Sequence, residues 1–187
     1  MENLKPSQAE VKVERPPKSS NVSIVQLQPD SWEILRELKL RSLEQEPIAF
    51  EDQSEGMARY SARTEEEWKK KLDEELSSTI SVFAEDNGKY IGMVNAVINH
   101  AEEKALIQHM YVDAKDYRGQ GIGRQLLEVL IQKLKDRGDI KKAELAVLET
   151  QTPAIRLYES LGFQKVGEAE ARRGNDTYTE LEMELKL

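Results

Sequence analysis

The chain contains no cysteine among its 187 residues. Disulfides, thiolate metal sites and cysteine nucleophiles are thereby excluded, and the absence suits a reducing cytosol. Histidine is nearly as scarce. His100 and His109 are too few for a histidine-based metal cluster and lack the i, i+4 spacing of a helical metal pair, so no metal is expected. Long apolar runs are missing, and no apolar stretch of signal-peptide type opens the chain; a cytoplasmic protein with no membrane partner is expected. Positive charge is in deficit. The formal net charge of -8 repels a polyanion, so nucleic acid would need a local basic patch. Lys69-Lys70-Lys71 and Lys141-Lys142 are short, and the first stands beside Glu65, Glu66 and Glu67 as a solvated helix face does. An amine-bearing, cationic partner is more compatible with this charge than a nucleic acid.

What remains is a globular composition, 39% hydrophobic and 33% charged, in a length suited to one domain. Residues 1–20 are rich in Pro, Lys, Glu and Ser and read as a flexible tail, with a docking segment as the functional alternative. Residues 21–187 read as a single domain. Val22, Ile24, Val25 and Leu27 suit a strand closed by Pro29. Asp30 or Ser31 caps a helix with Trp32, Leu35, Leu38 and Leu43 on its buried face. Pro47 ends that helix and leaves Ile48, Ala49 and Phe50 in a loop. Thr64 and Glu67 form a capping box for a second amphipathic helix carrying Trp68, Leu72 and Leu76.

Three strands follow, at residues 79–85, 90–99 and 105–112. The first two are joined by Asp86-Asn87-Gly88-Lys89, whose Asn-Gly pair supplies the positive φ angles of a hairpin turn. A helix is expected over 122–137, with Leu126, Leu127, Leu130, Ile131 and Leu134 on its core stripe and Gly138 as terminator. Then come a strand at 143–148, a short helix at 154–161 opened by Thr152 and Pro153, and strands at 163–167 and 177–187. The order is β-α-α-β-β-β-α-β-α-β-β, without internal repeats.

The segment Tyr117-Arg118-Gly119-Gln120-Gly121-Ile122-Gly123-Arg124 carries the strongest chemical signal. A strand runs into three closely spaced glycines and then a helix. That lets backbone N–H groups approach an anion at the positive end of the helix dipole, beside Arg118 and Arg124. No Gly-Lys-Ser/Thr follows, so it is not a Walker loop, and Arg124 stands where a dinucleotide fingerprint needs its third glycine. A tight turn without any ligand remains the plain alternative.

Arg118-x-x-Gly121-x-Gly123 resembles the R/Q-x-x-G-x-G/A signature of the GNAT (Gcn5-related N-acetyltransferase) superfamily. Residues 154–163, Ala-Ile-Arg-Leu-Tyr-Glu-Ser-Leu-Gly-Phe, resemble its A-x-x-L-Y-x-x-x-G-F block, at the family's separation. The resemblance spans about residues 22–187. It implies an α/β (α+β) fold with a mixed, mostly antiparallel central sheet and helices on both faces. It further implies a transferase that moves an acetyl group from acetyl-CoA, as co-substrate, to a primary amine by direct attack.

Residue by residue, the resemblance places the pantetheine arm along the backbone of Met110, Tyr111 and Val112. It gives the pyrophosphate to the backbone N–H groups of Arg118, Gly119, Gln120, Gly121, Ile122 and Gly123, with Arg124 in the first helical turn. Gln151 stands where the family often has an asparagine that holds the arm. Tyr158 matches the tyrosine that returns a proton to the leaving thiolate; a packed amphipathic tyrosine is the alternative. The base is not evident. Counting by twos from Met110, the substrate-facing side of its strand carries Gln108 and Leu106, while His109 falls on the opposite face as a packed or surface residue. Glu149 is a candidate acting through water, or an ordinary solvated carboxylate. Phe50 and Trp68 suit either an amine pocket or plain core. A non-catalytic acyl-CoA-binding domain and a nucleotide-binding module are the competing functions, and a homodimer is compatible with the fold.

Overall fold

Strand alternation and helical periodicity resolve into one seven-stranded sheet with helices against both faces. The computed structural model describes residues 21–50, 53–113 and 116–187. The expected tail, residues 1–20, and the side chain of Phe50 lie outside the described residues. The elements are β1 (Val22–Val25), α1 (Trp32–Gln45), α2 (Pro47–Phe50), α3 (Gln53–Ser61), α4 (Glu65–Ser78), β2 (Thr79–Asp86) and β3 (Lys89–Asn99). A single helical turn, His100–Glu102, leads to β4 (Lys104–Val112), α5 (Ile122–Arg137), β5 (Lys142–Leu148), α6 (Thr152–Ser160), β6 (Gln164–Arg173) and β7 (Asp176–Lys186). None of the described helices is long and apolar enough to cross a membrane.

The sheet order is β1-β2-β3-β4-β5-β7-β6. Every neighbouring pair is antiparallel except β4 and β5. Alternation sends successive strand residues to two separate cores. Val82, Val94 and Ile107 pack with Leu126, Leu127, Leu130 and Leu134 of α5. Phe83, Met93 and Tyr111 pack on the other side with Leu35 and Leu38 of α1 and Trp68 and Leu72 of α4. Each such side chain, fully buried, contributes about 1.5–3 kcal/mol.

Local signals act where the sequence places them. Thr64 and Glu67 exchange both capping-box hydrogen bonds, Asn87 and Gly88 take φ of 51° and 85° in the hairpin turn, and Gly138 ends α5 at φ 73°. The expected element order lacks α2 and α3. Within α3 only Met57 and Tyr60 are large apolar residues and Gly56 sits mid-helix, so no periodic stripe announces it. Tyr60 nevertheless is buried beside Trp68, with ring centroids 5.8 Å apart. Strand β6 also outruns the expected 163–167, because its outer half is an exposed edge without apolar alternation.

Between β4 and β5 the sheet opens. Only Lys104↔Lys142, Ala105↔Ala143 and Leu106↔Glu144 are in register, although β4 continues to Val112 and β5 to Leu148. A β-bulge lies in β4 where it faces the stretch Met93 to Asn95, and within it His109 holds φ 54°. Such a bulge bends and twists the strand that carries it, here away from β5.

Candidate active site

The opening between β4 and β5 is the mouth of a cavity of about 950 Å³. One wall is β4 from Leu106 to Val112, the other is β5 and α6, and the glycine loop closes one end. Beyond Leu106 the β4 edge that faces β5 has no strand partner, which leaves backbone polar groups for an extended ligand to use.

In the loop, Gly119 and Gly121 hold φ of 77° and 84°, a conformation that side chains rarely adopt, and a Cβ at either would meet no atom within 4 Å. Their conformation is required by the turn, while the space around them stays open. Gly123 differs. A Cβ there would lie 2.9 Å from Met110 Cε and 3.2 Å from Leu157 Cδ2, so its absence sets the width of the cleft floor. Gly121 is the N-cap of α5, and Ile122 begins the helix with its side chain buried. The first N–H groups of a 16-residue helix therefore border the cavity and favour an anion there. A diphosphate-bearing ligand with a flexible, hydrogen-bonding arm fits this combination of cradle and open strand edge.

The arginines are engaged in different directions. Arg118 folds back, its Nε donating to the Val112 carbonyl at 3.0 Å and its guanidinium pairing with Glu46 beyond α1. Arg124 leans toward α6 and donates to Ser160 Oγ at 2.6 Å. Gln120 turns its amide to the Asp116 carbonyl at 2.5 Å, so its backbone is the part that borders the loop. Tyr117 anchors the loop to the hairpin through its hydroxyl, which donates to Asp86 at 3.2 Å. The side chain of Tyr111 belongs to the core of α1, α3 and α4, where its hydroxyl donates to Gln45 Oε1 at 3.0 Å.

Across the cleft, Gln151 lines the cavity. Its carbonyl accepts the first helical bonds of α6, and its side chain makes no capping bond. Tyr158 also lines the cavity, packed edge-on against Phe163 at 5.8 Å, and its hydroxyl has no hydrogen-bond partner among the described residues. Burial pushes the phenol well above its ordinary value and keeps it protonated.

Glu149 and His109 stand differently toward the cavity. Glu149 does not line the cavity: β5 ends at Leu148, and Glu149 turns out to solvent with its N–H on the Thr179 carbonyl. His109 lies on the α1 and α4 side of the sheet, opposite Met110 as counting by twos gives, and it does line the cavity. The bulge adds one residue to β4, so the residues it moves off the face of Met110 are Gln108 and Leu106, which lie on the same side as His109. A trace of this stood in the sequence. The apolar series Ala105, Ile107, Met110, Val112 changes parity between 107 and 110, and all four pack toward α5. Trp68 is fully buried and does not reach the cavity, so it is core.

The model of the acetyltransferase (GNAT) family matches residues 32–163. A probable spermine N(1)-acetyltransferase of Bacillus subtilis subsp. natto is 39% identical over 62 residues, 33% of this chain and 40% of that protein. A [ribosomal protein bS18]-alanine N-acetyltransferase of Escherichia coli is 41% identical over 79 residues, 42% of this chain and 51% of that one. These matches thus span about half the length of the curated relatives or less. In fold, the chain is similar to yncA, a putative acetyltransferase from Salmonella typhimurium solved with acetyl-CoA. That similarity has a TM-score of 0.70 at 19% identity and covers 90% of this chain and 95% of the other. With more than two thirds of its residues matched by the family model, the chain belongs to the acetyltransferase (GNAT) family.

Proposed function

We propose that the protein is an N-acetyltransferase that moves an acetyl group from acetyl-CoA to a primary amine in a ternary complex, without a covalent enzyme intermediate. The observation that carries this is the splayed β4–β5 cleft, with an anion cradle at one end and a buried, protonated tyrosine facing it. Acetyl-CoA supplies an activated thioester. The open backbone edge at Met110, Tyr111 and Val112 and the amide of Gln151 would hold the pantetheine arm. The backbone N–H groups of Arg118 to Gly123 would hold the pyrophosphate, with Arg124 beside them.

As the amine attacks, a C–N bond forms and the carbonyl oxygen gains charge, which a backbone N–H of β4 near Met110 would stabilise. The C–S bond then breaks while Tyr158 gives its phenolic proton to the sulfur. Cysteine-free chemistry suits this route, since no nucleophilic side chain is called for. The named relatives acetylate amines as different as spermine and a ribosomal-protein alanine, so the acceptor class follows from them only at the level of an amine.

The test is thiol release from acetyl-CoA across a panel of polyamines, amino acids and peptide N-termini, together with calorimetric titration of acetyl-CoA and of ATP. Acetyl-CoA binding with turnover on at least one amine is expected. Tight binding without turnover on any amine would leave a non-catalytic acyl-CoA-binding domain, and binding of ATP alone would sink both.

A further inference from the structure

His109 ends a chain of side chains that starts in the buried interior. Glu75 of α4 is 4% exposed, and its Oε1 accepts from Ser81 Oγ at 3.1 Å and from the Nδ2 of Asn95, itself 4% exposed. A carboxylate can only accept, so the bond to Glu75 fixes which end of the Asn95 amide points where. Its Oδ1 is thereby turned to His109 Nδ1, 3.3 Å away. A carbonyl oxygen also only accepts. Nδ1 must therefore carry a hydrogen, and in the neutral ring the lone pair is left on Nε2. That nitrogen has no partner among the described residues, and the ring lines the cavity on the α1 and α4 side of the sheet.

We propose that His109 Nε2 accepts the proton released by the acceptor amine, and that Asn95 and Glu75 are positioning residues that hold the ring in its Nδ1–H form. This rests on the acetyl-transfer function proposed above. When the C–N bond forms, the nitrogen of the adduct carries an extra proton; it passes to Nε2. The C–S bond breaks as Tyr158 protonates the sulfur, and solvent returns the imidazolium proton to the tyrosinate, so acid and base are both reset. The backbone supports a functional role. A left-handed φ is uncommon for a residue with a side chain, and here it turns the ring to the face on which Asn95 waits.

The charges facing the ring are Lys39 from α1 and Lys71 from α4, with Glu75 behind the neutral Asn95. Burial first, then these two lysines, hold the imidazole well below its ordinary value. The base is therefore unprotonated at neutral pH, and any limb it imposes on the rate lies on the acid side.

Because the chain has two histidines, a long-range ¹H–¹⁵N spectrum resolves both rings. His109 is expected as the neutral Nδ1–H tautomer at pH 7. In His109→Gln, kcat should fall on the order of 10²-fold or more at neutral pH and recover partly as pH rises, with acetyl-CoA affinity unchanged. Glu75→Gln keeps the shape and hydrogen-bonding capacity of the buried site but lets the Asn95 amide turn over. It should convert part of His109 to the Nε2–H form and lower kcat in proportion, leaving acetyl-CoA affinity in place. A wild-type protein that acetylates an amine while His109→Gln matches its rate at every pH overturns the base assignment alone. An Nε2–H tautomer in the wild type does so as well. A lowered rate in Glu75→Gln with an unchanged His109 spectrum removes the positioning role. Absence of turnover in the wild type on every amine overturns the proposed function together with this inference.

Discussion

Tyr158 illustrates how a residue's surroundings decide its chemistry. Its ring is 6% exposed and packed on Phe163, yet its hydroxyl opens on the cavity and makes no bond to any described residue. Tyr158→Phe therefore removes a proton donor without leaving a partner unsatisfied. Thermal stability should stay within about 0.5 kcal/mol of the wild type, while kcat falls roughly 10²-fold with acetyl-CoA affinity nearly unchanged. Since burial raises the phenol's pKa, the donor stays protonated through neutral and mildly alkaline pH, and the deficit should persist across that window. A variant with wild-type kcat throughout would strip Tyr158 of its role as acid. Gly121 makes the complementary case. At φ 84° with open space where a Cβ would stand, Gly121→Glu places a strained carboxylate in the anion cradle. Calorimetry should detect no acetyl-CoA binding, while the circular dichroism spectrum remains that of a folded protein.

Among the elements, β4 does the most to shape the site, and two glycines that flank it differ in what they tolerate. A Cβ at Gly92 of β3 would stand 2.9 Å from the Tyr111 carbonyl oxygen, a backbone atom that cannot swing aside. Gly92→Ala should cost about 1–3 kcal/mol, read as a lower denaturation midpoint. At Gly123 the same 2.9 Å contact is with Met110 Cε, the end of a flexible side chain. Gly123→Ala should cost under about 1 kcal/mol and act mainly by narrowing the cleft, seen as weaker acetyl-CoA binding. Equal loss of stability in the two variants would contradict this contrast. The same strand marks where sequence alone stops being informative. Capping box, hairpin turn and α5 are written in local residue choices, and the structure has each of them where those residues lie. The bulge follows from how β4 pairs with β3 and diverges from β5, which are contacts distant in sequence. Its faint local trace, a change of parity in the apolar series, was hidden because Leu106 is apolar as well. Gln108 and Leu106, which counting by twos puts on the face of Met110, therefore lie on the other side of the strand with His109. Helix α3 leaves as little local trace: one buried aromatic, Tyr60, secures it by packing on Trp68, and no apolar stripe marks it.

At the scale of the molecule, the sheet consists of two parts, β1–β4 and β5–β7, in register with each other over three residue pairs. The α5 core spans both, but the cleft removes packing from the place where strands would otherwise continue side by side. A ligand seated there restores contacts between the halves and binds only the folded chain, so its binding energy adds directly to stability. At a concentration of 100 times Kd the gain is about 2.7 kcal/mol. For a chain of this length that corresponds to a rise in Tm of roughly 5–10 °C. Acetyl-CoA should produce this shift, and hydrogen exchange should slow in β4, in the loop before α5 and at the start of α6, with little change in β1 and β2. ATP, whose phosphates suit the cradle but which lacks an arm to pair with the β4 edge, should give a much smaller shift and no protection along β4. Equal shifts for the two ligands, or protection confined to the glycine loop, would mean that the strand edge takes no part in binding. The open pairing of β4 and β5 would then be a feature of the fold alone.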